Sequence, residues 1–192
     1  MTTVVLFHHA QGLTDGVKAF AERLRGAGHT VTTPDLYDGE TFEDLEEGID
    51  HAGRIGFATI ADRGRAAADD LPDDVVYAGF SLGAMPAQIL AQTTPGAKGA
   101  ILLSGCITPS ELGSEWPVDL PVQIHGAEED ELFVDAGDLD AARAIVDAVP
   151  VAELYLYPGS GHLFADDSLP EYDEESAVLL EERVLRFLDD VA

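Results

Sequence analysis

Apolar residues follow two rhythms along this chain. Short unbroken runs, rich in β-branched and aromatic side chains, occupy Val4 to His8, Thr30 to Thr33, Val75 to Ala78, Ala97 to Ser104, Val122 to His125 and Ala152 to Tyr157. Runs this short, with no polar alternation, predict strands buried on both faces. Between them the apolar positions recur at helical spacing. Val17, Phe20, Ala21 and Leu24 mark a helix over Asp15 to Ala27, with Gly26 and Gly28 near its end. Leu82 to Gln92 and Leu139 to Val149 read as two more helices, the first with Pro86 inside it removing one backbone bond. A last helix over about Asp173 to Val191 carries the stripe Ala177, Leu180, Val184 and Phe187 behind an acidic start that suits the positive end of its dipole. Asp44 to Asp70 is helical material broken by Gly48, Gly53, Gly56 and Gly64, so its boundaries are undefined. Strands alternating with helices predict βαβ units. The expectation is an α/β fold, one domain over residues 1–192, with a mostly parallel sheet of about six strands and helices on both faces.

Charge narrows the partners. Acids outnumber Lys plus Arg by 37 to 10, a formal net charge of -27. Nucleic acid and anionic membranes are polyanions and would be repelled. An anionic substrate would need a local basic pocket, for which Arg54, Arg63 and Arg65 are the available residues. Cys106 is the single cysteine, so no disulfide forms within the chain and a reducing setting fits. The apolar run Val4-Val5-Leu6-Phe7 stops at His8-His9 and has no basic segment before it, unlike a signal peptide. No stretch reaches the length of a membrane span. These features predict a cytoplasmic protein, monomeric or homodimeric, with a small molecule as its partner.

Gly79-Phe80-Ser81-Leu82-Gly83 follows one predicted strand and precedes a predicted helix. This is the G-x-S-x-G nucleophile elbow in the strand-turn-helix context that gives it meaning. The turn forces the serine into a strained backbone conformation, and the flanking glycines let neighbouring backbone approach. The hydroxyl then lies at a helix N-terminus, where backbone N–H groups favour negative charge. The blander alternative is a tight turn with a structural serine.

In chain order, such a nucleophile is followed by an acid and then a histidine. His162 lies past the last strand in Pro158-Gly159-Ser160-Gly161-His162, small residues that place its ring on a loop at the strand ends. Asp130 lies just past the strand Val122 to His125, among rivals Glu128, Glu129 and Glu131. A carboxylate there would hold the imidazole and stabilise its cation. The backbone N–H of Leu82 is one expected oxyanion donor, and the loop His8-His9-Ala10-Gln11-Gly12 after the first strand should supply a second. The adjacent histidines invite a metal reading, but consecutive residues at a strand end point apart. No zinc spacing or phosphate-binding glycine motif occurs, so neither metal nor cofactor is expected.

On these residues the chain resembles the dienelactone hydrolase family. The matching segments are Leu13 to Leu24, Pro34 to Gly39, Gly79 to Gly83, His125 through Asp130, and Tyr157 to His162. The resemblance implies an α/β-hydrolase fold and ester hydrolysis through an acyl-enzyme without a cofactor. It also implies Ala10 and Leu82 as oxyanion donors. Three departures accompany it. The family's name-giving enzymes carry cysteine where Ser81 stands, glutamate where His9 stands, and a substrate-binding arginine where Asp166 stands. Dienelactone itself is therefore not the expected substrate. The chain opens at a strand that in the family follows a hairpin, which implies a sheet shortened at its N-terminus.

The expected activity is hydrolysis of a small neutral carboxylic ester or lactone, with Ser81 attacking, His162 carrying the proton and Asp130 holding His162. His9, Gln11, Tyr37, Trp116 and Phe164 are the candidate pocket residues, of which Tyr37, Trp116 and Phe164 are equally consistent with core packing. Cys106 follows a strand end near the site, in a long loop from Ser104 to Leu120. A thioesterase or acyltransferase with the same triad, and a non-catalytic binding module of the same fold, are the competing readings.

Overall fold

The computed structural model describes all 192 residues. Six strands form one sheet: β1 (Thr3–Phe7), β2 (Thr30–Thr32), β3 (Val75–Phe80), β4 (Gly99–Leu103), β5 (Val122–Ala127) and β6 (Ala152–Tyr157). Their order is β2-β1-β3-β4-β5-β6, and every neighbouring pair is parallel. The sheet is thus wholly parallel, where the sequence predicted a mostly parallel one.

Seven α-helices connect and cover it: α1 (Asp15–Gly26), α2 (Leu45–Ile55), α3 (Phe57–Ala68), α4 (Ala84–Thr93), the single turn α5 (Glu131–Val134), α6 (Asp138–Ala148) and α7 (Glu174–Asp190). The glycine-broken segment resolves into two helices that meet at Gly56, whose φ of 89° continues neither. Pro86 costs α4 little. The helix proper begins at Ala84, after a short 3-10 turn over Ser81–Gly83, so Pro86 lies in the first turn, where a backbone N–H has no helical partner anyway.

Side chains alternate across the sheet and divide the core in two. Val5, Phe7, Val75, Tyr77 and Leu102 pack with residues of α2, α3, α4 and α6 on one face. Val4, Leu6, Val76, Ala78 and Phe80 pack with Val17, Phe20 and Leu24 of α1 and Leu180, Val184 and Phe187 of α7 on the other. The stripes read from the sequence are the faces that these two helices bury.

This topology locates a crevice. The chain leaves β1 for a helix on one face and leaves the adjacent β3 for a helix on the opposite face. Where neighbouring strands diverge in this way, the loops at their carboxyl ends separate and leave room for a ligand. Ala10 follows β1 and Ser81 follows β3 at that point.

Candidate active site

Ser81 has a φ of 48°, left-handed for a residue that carries a side chain. Such a conformation costs on the order of 1–3 kcal/mol and persists only where its surroundings enforce it. Here they do. A Cβ on Gly79 would collide with the Gly83 carbonyl, and a Cβ on Gly83 would lie 2.5 Å and 2.6 Å from the carbonyl oxygens of Phe7 and His8. The two glycines therefore allow the elbow to fold on itself and press against the end of β1.

The Ser81 Oγ lies 2.7 Å from His162 Nε2, and His162 Nδ1 lies 2.6 Å from Asp130 Oδ2. A carboxylate only accepts, so Nδ1–H donates to Asp130 and Nε2 is left to accept from the serine hydroxyl. Asp130 is 2 % exposed and caps α5, its Oδ1 accepting from Leu132 N–H at 3.0 Å. Glu128, Glu129 and Glu131 are exposed, and none hydrogen-bonds His162. Glu171, which the sequence did not single out, accepts from the backbone N–H of His162 at 2.8 Å and fixes that loop from the other side.

The loop after β1 is equally constrained. Gly12 N–H donates to the His9 carbonyl, and Gln11 N–H to His9 Nδ1, while the Ala10 N–H has no acceptor within the protein. Gly48 of α2 packs directly on the Ala10 carbonyl, at a spacing no Cβ would permit. The adjacent histidines do point apart. His8 turns to Leu36 N–H, and burial holds its pKa down to about 4, so it is neutral near pH 7. His9 turns to Asp166, Nε2 to Oδ2 at 2.8 Å, with both side chains fully buried.

A cavity of about 380 Å³ opens beside Ser81 and His162. Leu82, Ala84, Met85, Ile107 and Leu132 give it apolar walls, Ile49 and Phe57 reach it from either side of the α2–α3 break, and Ser104, Gly105, Cys106 and Asp138 complete it. None of the five pocket residues expected from the sequence lines it. His9 is occupied by Asp166, and the Gln11 amide donates to the carbonyls of Phe42 and Glu43. Tyr37 is buried against His8 and His51, Trp116 donates its Nε1–H to the Leu120 carbonyl, and Phe164 packs on Tyr157. Each serves packing instead. Cys106 does reach the cavity, but it is 1 % exposed and burial pushes its thiol pKa well up, so it is a neutral wall.

The model of the dienelactone hydrolase family matches residues 1–192. The chain belongs to that family. A Saccharolobus solfataricus protein, provisionally assigned as a carboxymethylenebutenolidase, is 25 % identical over an alignment covering 98 % of this chain and 89 % of that one. A crystal structure of a provisionally assigned dienelactone hydrolase from Klebsiella pneumoniae superposes with a TM-score of 0.75 at 21 % identity, covering 98 % of this chain and 87 % of that one. A dienelactone hydrolase-like promiscuous phosphotriesterase from metagenomic libraries superposes with a TM-score of 0.71 at 20 % identity, covering 100 % of this chain and 87 % of that one. At these identities the structural likeness speaks for the α/β-hydrolase fold. The family membership makes the chain a hydrolase of the dienelactone hydrolase type.

Proposed function

We propose that this protein hydrolyses small carboxylic esters or lactones that carry no carboxylate of their own, through a Ser81–His162–Asp130 triad and an acyl-enzyme. The observation that carries the reading is the unbroken relay of 2.7 Å and 2.6 Å contacts from Ser81 Oγ through His162 to Asp130. Ser81 Oγ attacks the carbonyl carbon while His162 Nε2 takes its proton. The carbonyl oxygen becomes an oxyanion held by the N–H groups of Leu82 and Ala10. Collapse expels the alcohol, which takes the proton from His162, and leaves an ester on Ser81. Water, deprotonated by His162, then releases the acid and restores the hydroxyl. Asp130 stays ionised throughout and stabilises the imidazolium.

Two features support the restriction on charge. No Lys or Arg lines the cavity, and the three arginines that could have built a basic pocket do not reach it. Arg63 is bound to the Leu36 carbonyl and Asp38, and Arg65 pairs with Asp62. The lone cysteine supports a cytoplasmic setting.

The test is Ser81→Ala beside the wild type, assayed with a fluorophosphonate probe and a panel of short p-nitrophenyl esters, lactones and thioesters. Labelling should disappear and kcat should fall by about 10⁴-fold or more. Near-wild-type turnover in the variant would remove the mechanism.

A further inference from the structure

Asp138 is the one side chain with a formal negative charge among the residues lining the cavity beside Ser81. It opens α6 and is half-buried. Its Oδ2 accepts from the Cys106 backbone N–H at 2.9 Å, which ties α6 to the loop after β4. Its Oδ1 has no partner within the protein. No Lys or Arg lines this cavity or the adjoining cleft formed by Leu45, Glu129, Glu131, Ser160 and Glu171 around His162 and Asp130. Withdrawing a carboxylate from water beside Met85, Ile107 and Leu132 is costly unless it is paired. Burial, with Asp130 adding to it, outweighs the Cys106 N–H bond and the nearby His162 and holds its pKa above the ordinary carboxylate value. The bond to Cys106 N–H alone needs no charge, since an amide or hydroxyl oxygen would accept it equally. His162 is the one basic side chain that shares the cavity with Asp138, no Lys or Arg joins it, and the cavity leaves room for a cationic group of a ligand.

We infer that the cavity accepts esters whose acyl or alcohol portion carries an ammonium group, and that the Asp138 carboxylate selects them by pairing with that cation. The inference rests on the reading of Ser81 as nucleophile only in placing the ester there; the pairing itself requires no turnover. A bond between a charged donor and a partly desolvated carboxylate is strong enough to discriminate at least about tenfold between otherwise isosteric ligands. Asp138 would then be a specificity-determining residue.

Isosteric pairs separate charge from shape. On the alcohol side these are 2-(dimethylamino)ethyl acetate and 3-methylbutyl acetate; on the acyl side, methyl N,N-dimethylglycinate and methyl 3-methylbutanoate. Hydrolysis is followed by pH-stat at pH 6.5, where the amines are largely protonated. In at least one pair the wild type should favour the ammonium ester in kcat/KM by about tenfold or more beyond the ratio of the two esters' hydroxide-catalysed rates, and Asp138→Asn should bring this normalised ratio to near one. Asparagine keeps an acceptor for Cys106 N–H, so a purely structural role would alter both members of a pair alike and leave the ratio in place. A parallel calorimetric arm uses Ser81→Ala with N-[2-(dimethylamino)ethyl]acetamide and N-(3-methylbutyl)acetamide, which demand no catalysis, and so also serves if Asp138→Asn fails to fold. Tighter binding of the cationic amide with no ester turnover would overturn the hydrolase reading and keep this one. Ratios near one for both ester pairs and the amides, or a wild-type preference that survives Asp138→Asn, would overturn the inference.

Discussion

The buried Asp166 offers the sharpest test of how the site is held. Its carboxylate collects four donors: His9 Nε2 at 2.8 Å and Thr14 Oγ at 2.6 Å on one oxygen, Ser168 N–H at 2.9 Å and Ser168 Oγ at 2.6 Å on the other. Burial alone would raise its pKa, but these donors outweigh it and hold the group near 2. A folded pKa below the unfolded value of about 3.9 stabilises the protein at every pH above that value, by about 2.5 kcal/mol for such a gap. The contribution disappears as pH falls through about 2. Asp166→Asn has no good orientation. Turned one way its NH2 faces His9 Nε2–H, whose tautomer is fixed because Nδ1 accepts from Gln11 N–H; turned the other way it faces Ser168 N–H. A buried donor left without an acceptor costs about 1–3 kcal/mol. With the lost charge, the variant should be about 3 kcal/mol less stable at pH 7, with Tm lower by roughly 6–12 °C. Urea unfolding at pH 7 and pH 2.5 measures this, and the gap to wild type should shrink at the lower pH. A variant within about 0.5 kcal/mol of wild type at pH 7, or a gap indifferent to pH, would refute the reasoning.

Asp130→Asn should lower kcat by about 10⁴-fold, because an amide favours the wrong tautomer of His162; Glu128→Gln, Glu129→Gln and Glu131→Gln should each cost less than about tenfold, and a larger loss in one of them would move the acid elsewhere. Gly83→Ala should destabilise by more than about 2 kcal/mol in chemical denaturation, since the new methyl would collide with the backbone carbonyls of Phe7 and His8, whereas Gly53→Ala, in mid-helix with open space around it, should stabilise by up to about 1 kcal/mol. Thermal melts should shift upward between about 10 mM and 1 M sodium chloride, because salt screens the self-repulsion of a chain at net charge -27; a flat or falling Tm would show the charges too dispersed to matter.

The strands were legible because every one of β1, β3, β4 and β5 is buried along nearly its whole length, so each reads as a continuous apolar run. The elbow was legible for a different reason: its serine and both glycines fall within five consecutive residues, although the crowding that Gly83 answers comes from Phe7 and His8 at the end of β1. The cavity was not. Its walls are Leu82, Met85, Ile107 and Leu132, aliphatic residues that composition cannot tell from core, brought together from three separate segments. Aromatic and polar residues near the site looked more suited to a pocket, yet Tyr37 and Phe164 are 1 % and 3 % exposed and pack inward. Asp138 and Glu171 are two acids among 37, and only their placement in space distinguishes them. The placing of Cys106 near the site was legible, because the loop after β4 adjoins the end of β3 in a sheet of this order and so brings Ser104-Gly105-Cys106 near Ser81.

The three residues of the relay leave the sheet after β3, β5 and β6, with His162 separated from Ser81 by 81 positions and from Asp130 by 32. No local segment contains two of them. During refolding, helices form on the microsecond scale, whereas pairing distant parallel strands must first overcome the entropy of closing long loops. On the proposed mechanism, far-UV circular dichroism should therefore recover before Ser81 can be acylated. If the proposed relay carries the reaction, hydrolytic activity after dilution from urea should return only once β3, β5 and β6 are all in place.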